Sequence, residues 1–286
     1  MRDAHGERRY PKAQVDRLRL VAHLLEGGFR PARVVPLSID ALGALSTELR
    51  NRTEADRPVD LHAADVHDFL VSIHDADPVS LRRKLGQAQA RIGPVRFVTD
   101  IVVPLNMAVG RAWLDGRLQI FHEHIYTEEV QRVMRHALGN MPAASPDAAP
   151  RVLLATLPGE PHALGLLMAE TLMAVEGCGC VSLGLQTPVC DVMAAAAIQK
   201  ADIVALSCSG CVPAAELMGD LTELRHGLDP KVELWAGGGA QALQRRRIEG
   251  VRPMATLASI ATEVRRRRDQ RRDEESSLLA LCRSAA

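Results

Sequence analysis

The chain has 286 residues, 47% of them apolar and 24% charged, and its 35 Lys+Arg balance its 35 Asp+Glu. That length accommodates two or three domains of ~100–200 residues, and a formal charge of zero excludes a chain-wide basic field for nucleic acid, leaving only local contacts. No uninterrupted apolar run approaches the ~20 residues of a membrane span, and the opening MRDAHGERRY lacks the apolar core of a signal peptide, so a cytoplasmic protein without a membrane partner is expected.

Residues 10 to 45 carry a short helical unit, with Val15, Leu18, Val21, Ala22, Leu24 and Leu25 at helical spacing and Gly27-Gly28 as its stop. Residues 47 to 58 are polar and end in Pro58, which predicts a linker. Residues 59 to 140 read as helical throughout. Leu61, Val66, Phe69, Leu70 and Ile73 form one stripe. Asp77-Pro78 opens a second helix through Leu81, Leu85 and Ile92, with Asp as N-cap and Pro at the first helical position. Pro94 introduces a third, long helix to about Trp113, and a fourth runs from about His122 to Leu138 after the turn at Asp115-Gly116. Four helices joined by short loops predict a bundle.

After the Pro/Ala-rich stretch 141–150 the period changes. Short apolar runs at 152–157, 180–185, 202–207, 232–237 and 251–254 alternate with helical stretches near 163–176, 191–200, 213–226 and 240–247, before a final helix from about 256. This alternation predicts a doubly wound, five-stranded parallel sheet of Rossmann-like type, covered on both faces. The expected fold is therefore multi-domain, mainly α followed by α/β. The run Arg265 to Arg268 with Arg271-Arg272 reads as a solvated helix end. Cys178, Cys180, Cys190, Cys208 and Cys211 fall in or beside apolar segments; Cys208-x-x-Cys211 has the spacing of a redox or zinc half-site but no second pair, so buried structural thiols are expected.

Ligands of open parallel sheets bind beyond the carboxyl ends of the strands. There the sequence places Pro158-Gly159-Glu160-Pro161-His162-Ala163-Leu164-Gly165 after the first strand, Ser207-Cys208-Ser209-Gly210 after the third, and Gly237-Gly238-Gly239 after the fourth. His162 has a carboxylate two residues before it, able to fix one ring nitrogen while the other binds a metal. Gly165 and the glycine triplet remove side chains where a bulky group could approach backbone, and Ser207 can hydrogen-bond it. Singly, each feature also fits an ordinary helix start or turn.

Together these elements resemble the B12-binding domain, whose fingerprint is Asp-x-His-x-x-Gly, a Ser after the third strand and Gly-Gly after the fourth. Glu160 stands for the Asp, and Ser209 stands where many members carry Leu. The resemblance implies His162 as the lower axial ligand of cobalt, with Glu160 behind it and a nucleotide tail lined by Gly165, Ser207, Ser209, Gly237 and Gly238. Upstream, Val109-Gly110…Trp113…Gly116…Glu123-His124 resembles the helical cap of B12-dependent photoreceptor regulators of the MerR type, where Trp113, Glu123 and His124 would meet the upper face of adenosylcobalamin. Some members have His directly after the Trp; Leu114 stands there, so a second protein ligand after photolysis is not carried over.

Arg8-Arg9-Tyr10 and the apolar positions to Val34-Val35 resemble the second half of a MerR-type winged helix. The family's recognition helix precedes that stretch. Either the start codon lies further upstream or autonomous DNA reading is lost; Arg8 and Arg9 could still touch phosphates. The expected organisation is a winged-helix remnant over 1–46, a four-helix cap over 58–141, a B12-binding domain over 150–270 and a polar tail over 271–286. The resemblance implies a cobalamin-dependent transcriptional regulator, light-responsive and without turnover. Its expected partners are cobalamin, further copies of the chain, and promoter DNA or another regulator. A corrinoid carrier for methyltransferases is the rival, and a site for another nucleotide lacks G-x-G-x-x-G spacing.

Overall fold

The computed structural model describes residues 11–26, 29–55, 63–142, 145 and 148–284. The expectations for Arg8, Arg9, Tyr10, Gly27, Gly28, Pro58 and Leu61 fall outside the described residues. By its contacts the chain divides into two units, Met1–Leu85 with Asp100–Glu129, and Gly86–Thr99 with Val130–Ala286.

In the first unit, α1 (Lys12–Glu26), α2 (Pro31–Val34) and α3 (Ile39–Ala55) close around Val21, Leu24, Val34 and Leu42. Arg17 Nη2 donates to the carbonyls of Val35 (2.6 Å) and Leu37 (2.9 Å), fixing the turn between α2 and α3. Leu18, one of the apolar residues at helical spacing, is exposed. The linker expected at 47–58 is corrected as well, because α3 continues through Ala55. Its Glu, Leu and Arg residues are good helix formers, and no Gly or Pro falls between Thr47 and Ala55.

Then follow α4 (Ala63–His74) and α5 (Pro78–Arg96). Asp77 caps α5 as expected, its Oδ1 accepting the Ser80 N–H at 3.0 Å. Gly93, at φ 78° and ψ 166°, breaks α5 before Pro94, since the residue preceding proline avoids the helical region. The expected third helix is thus resolved into the last turn of α5, a π-helical stretch Phe97–Val102 and α6 (Val103–Leu114). The run Pro78–Leu114 does contain a window of mean hydropathy 1.4, long enough to cross a membrane by length and composition. The break at Gly93 and the single buried stripe of Ile101, Leu105, Val109 and Ala112 are those of an amphipathic core helix. Helix α7 (Ile120–Gly139) ends the helical region. It carries Tyr126, which donates to Asn106 Oδ1 (2.6 Å), and buried Glu129, which accepts from Arg82 Nη2 (2.8 Å).

The second unit holds β1 (Arg151–Ala155), α8 (Leu164–Val175), β2 (Gly179–Gly184), α9 (Val189–Ile198), β3 (Ile203–Ser207), α10 (Ala214–Gly227), β4 (Glu233–Gly237), α11 (Gln241–Arg245), β5 (Val251–Met254) and α12 (Ser259–Ser284). The strands form one parallel sheet in the order β2-β1-β3-β4-β5. The near-continuous apolar strands β1, β3 and β4 are buried centrally, as both faces are covered. The strand order reverses between β1 and β3, and such a switch point leaves a crevice at the carboxyl edge.

The opposite edge is occupied by α12. Arg266 binds Glu233 and Glu263 (2.7 Å to the latter), and Arg267 Nε lies 3.6 Å from Glu233. Arg268 donates to the carbonyls of Ala149 (2.9 Å) and Glu176, and Arg271 approaches Asp202 (3.8 Å). Glu233 and Asp202 stand at the starts of β4 and β3, so these arginines clamp the amino edge. Arg266, Arg267 and Arg268 thus depart from the solvated helix end expected from the charge run, whereas Arg265, Arg271 and Arg272 are exposed as expected.

Candidate functional site

The loop after β1 turns at Pro158-Gly159. Glu160 N–H reaches Leu157 O (3.1 Å) and Gly159 has φ +77°, the arrangement of a type II turn with proline second and glycine third. Thr156, fully buried, ties the loop down: its hydroxyl donates to Glu160 O (2.8 Å) and accepts from Gln186 N–H (2.8 Å). Glu160 is therefore carried inward, 1% exposed, while His162 stays at the surface.

The Glu160 carboxylate is held from two loops. Oε1 faces His162 Nδ1 (2.7 Å), the His162 backbone N–H (3.2 Å) and the Ser209 hydroxyl (2.9 Å); Oε2 accepts the Ser209 backbone N–H (2.6 Å). Burial pushes its pKa up, yet the bonds from Ser209 and His162 together outweigh that and hold it below the ordinary carboxylate value. A charged carboxylate at Nδ1 keeps the imidazole proton there, which leaves the Nε2 lone pair free. Among the described residues Nε2 has no hydrogen bond, and the side chain is 56% exposed.

Ser207 and the glycines are fixed by close approach. A Cβ on Gly165 would lie 2.4 Å from Ser207 Oγ, so the β3 serine rests on the first turn of α8. Gly238 has φ +117°, and a Cβ there would fall 2.3 Å from Cys208 O. Cys208 N–H donates to Gly237 O (2.8 Å) and Ala240 N–H to Cys208 O (3.0 Å), which joins the loops after β3 and β4.

Two neighbours escaped the sequence reading. Thr156 looked like strand, and its anchoring role depends on the course of the loop. Cys211, expected as a buried thiol, is exposed, with Sγ 3.7 Å from His162 Nδ1. Cys190 is also exposed, at the start of α9. Both correct the expectation of burial: each lies where an apolar segment gives way to an outward-facing loop or helix start. Cys178 and Cys208 are buried as expected, and burial pushes Cys208 up to about 12.

Residues 150–258 match the B12 binding domain family, and residues 66–138 match a second family described as a B12 binding domain. The chain is 27% identical to the HTH-type transcriptional repressor CarH of Myxococcus xanthus, over 82% of this chain and 78% of that protein. The chain is thus similar to CarH, with two stretches that match B12 binding domain families.

The HTH-type transcriptional repressor CarA of Myxococcus xanthus is 26% identical over 72% of this chain and 65% of its own length. In fold, the chain is similar to the monomethylamine corrinoid protein of Methanosarcina barkeri, with 16% identity, coverage of 68% of this chain and 94% of that one, and a TM-score of 0.55. The B12 binding match at 66–138 takes in the cap residues. Trp113 is half-buried in the last turn of α6. Glu123 and His124 open α7, with His124 Nε2 3.6 Å from Glu123 Oε2 and the Thr127 hydroxyl donating to Glu123 Oε1 (2.7 Å). His122, near the start of α7, faces inward. It is buried, its Nδ1 accepts Gln119 N–H (2.9 Å), and Nε2 faces His74 O (3.1 Å).

Proposed function

We propose that this chain is a cobalamin-binding transcriptional regulator that holds adenosylcobalamin through His162 and answers to light. The observation that carries the reading is the Glu160–His162 pair, which presents an exposed imidazole nitrogen with its lone pair free. That donor fits cobalt, for which a neutral imidazole backed by a carboxylate is a suitable axial ligand. Ser207 Oγ, without a hydrogen bond among the described residues, offers a polar contact at the mouth of the β1–β3 crevice. Gly165, Gly237 and Gly238 then border the nucleotide tail, with Ser209 acting through Glu160. The likeness to the photoreceptor regulators supports Trp113, Glu123 and His124 as residues for the upper face. Bound cobalamin supplies a cobalt–carbon bond that light can break.

On this reading the organisation is a segment of winged-helix type over 1–46, a cap over 58–141, the B12-binding domain over 150–270 and a tail over 271–286. The protein is cytoplasmic, performs no turnover, assembles with further copies of itself and acts at a promoter, directly or through another regulator. Arg8 and Arg9 are offered as phosphate contacts.

The reading is tested by reconstituting the purified chain with adenosylcobalamin in the dark. Retention of the pigment, a spectrum that changes on illumination, and a change in elution volume or DNA affinity are expected. His162→Ala should abolish the bands of histidine-ligated cobalamin; unchanged bands in that variant would remove the assigned ligand. The corrinoid-carrier reading draws on the fold likeness to the Methanosarcina barkeri protein. It requires methylcobalamin in protein purified from cells and no response of DNA affinity to light.

A further inference from the structure

Three ligand atoms of different chemistry meet at the foot of His162. A carboxylate oxygen of Glu160, an imidazole nitrogen of His162 and Cys211 Sγ all lie within 4.8 Å of one another. Their nearest approaches are Oε1 to Nδ1 at 2.7 Å and Sγ to Nδ1 at 3.7 Å. Zinc takes just such O, N and S donors at ~2.0–2.3 Å, which places neighbouring donors of a tetrahedron ~3.3–3.7 Å apart. The Sγ–Nδ1 distance meets that range, and the Oε1–Nδ1 distance must open by about half an ångström. Glu160 is already oriented by Ser209, which supplies the outer support a zinc carboxylate needs. Cys211 and His162 are exposed, so a metal has an entry path and a fourth position for water.

We infer that in the corrinoid-free protein Glu160, His162 and Cys211 form a zinc site whose occupancy excludes the bond from His162 to cobalt. The exclusion half rests on the cobalamin reading above. It follows from proton accounting on one imidazole. Ligation of cobalt by Nε2 requires the proton on Nδ1, shared with Glu160. Zinc takes the place of that proton between Nδ1 and Oε1, the proton passes through solvent to Nε2, and the Nε2 lone pair is lost. The Cys211 thiol binds as thiolate, so one proton is released to solvent for each zinc bound. The same residue pair that prepares the imidazole for cobalt, completed by a thiol from the loop after β3, would hold it closed while zinc is present.

The test uses the full chain freed of corrinoid. Zinc titrated against a chromogenic chelator should give one tightly held ion per chain and release of one proton per ion in weak buffer. Cys211→Ser should weaken zinc binding by more than the roughly 10–100-fold that loss of even an outer-shell partner costs, while Cys190→Ser leaves it unchanged. Zinc-loaded protein should take up cobalamin without the bands of histidine ligation, and excess chelator should restore them. In Cys211→Ser those bands should form with or without zinc. Equal zinc affinity in Cys211→Ser and the parent chain would overturn the metal site, and identical bands in zinc-loaded and zinc-free protein would overturn the exclusion. If no histidine-ligated bands form in any sample, the exclusion falls together with the cobalamin reading, and the chelator titration still decides the metal site.

Discussion

A buried carboxylate that stays charged has to be held by donors, and Glu160 is held by four from two loops. Because its pKa is depressed in the folded chain, its contribution to stability is complete above the ordinary value of 4.5 and is lost as pH falls through the lower folded value. Glu160→Gln removes this acid-side loss, so the difference in urea midpoint between the parent chain and the variant should shrink as the solution is taken below pH ~4. At neutral pH the same substitution should weaken histidine-ligated cobalamin binding by roughly 10–100-fold, read from the visible bands, because the amide orients the ring less firmly. The pairing of Glu160 with His162 was legible, since two residues of spacing at a strand end suffice to bring them together. Ser209 was legible only as a polar lining residue. Its grip on the carboxylate depends on the backbone path through Gly210, which no side-chain pattern reports. Cys211 was misread for the same reason: an apolar neighbourhood in sequence says little about which way a loop residue faces.

Close backbone approaches set the mutational limits of the secondary-structure elements. Gly165→Ala should destabilise the sheet unit by about 1–3 kcal/mol in denaturant unfolding, as overpacking against Ser207 Oγ forces one of them aside. In a Ser207→Ala background most of that cost should vanish, because Ser207 Cβ stands at an ordinary 3.7 Å. Additive losses in the double variant would show that Oγ is not the obstacle. Gly238→Ala should cost a similar ~1–3 kcal/mol with no rescue from Ser207→Ala, its φ of +117° being barred to a side chain. The five strands and their helices were readable because hydrophobic period switches cleanly after residue 150. The extent of α3 was not, since a charged helix and a charged linker share a composition. The break at Gly93 was readable from the proline that follows it, whereas the π-helical stretch Phe97–Val102 was not.

In the sheet unit as a whole, the arginines of α12 close one edge and leave chemistry to the other. Glu233 is the shared anchor, bound by Arg266 and approached by Arg252 and Arg267, with Trp235 Nε1 donating at 2.8 Å. Glu233→Ala should lower unfolding stability by about 1–3 kcal/mol, less than for a fully buried pair because the side chain keeps 21% exposure. Cobalamin spectra should not change, since this edge lies opposite the β1 and β3 loops. Charge balance over the chain gave no hint of this arrangement; it required knowing that Asp202 and Glu233 begin neighbouring strands.

The hydrogen bonds between Cys208 and residues 237 and 240 have a mechanical side. They splice two adjacent loops into one stiff bracket, and that bracket also grips Glu160 by way of Ser209. A bulky tail wedged against the glycines would thus strain the very support on which the imidazole leans. How far a guest molecule is inserted, and how strongly its central ion is gripped, would then be read by a single lever.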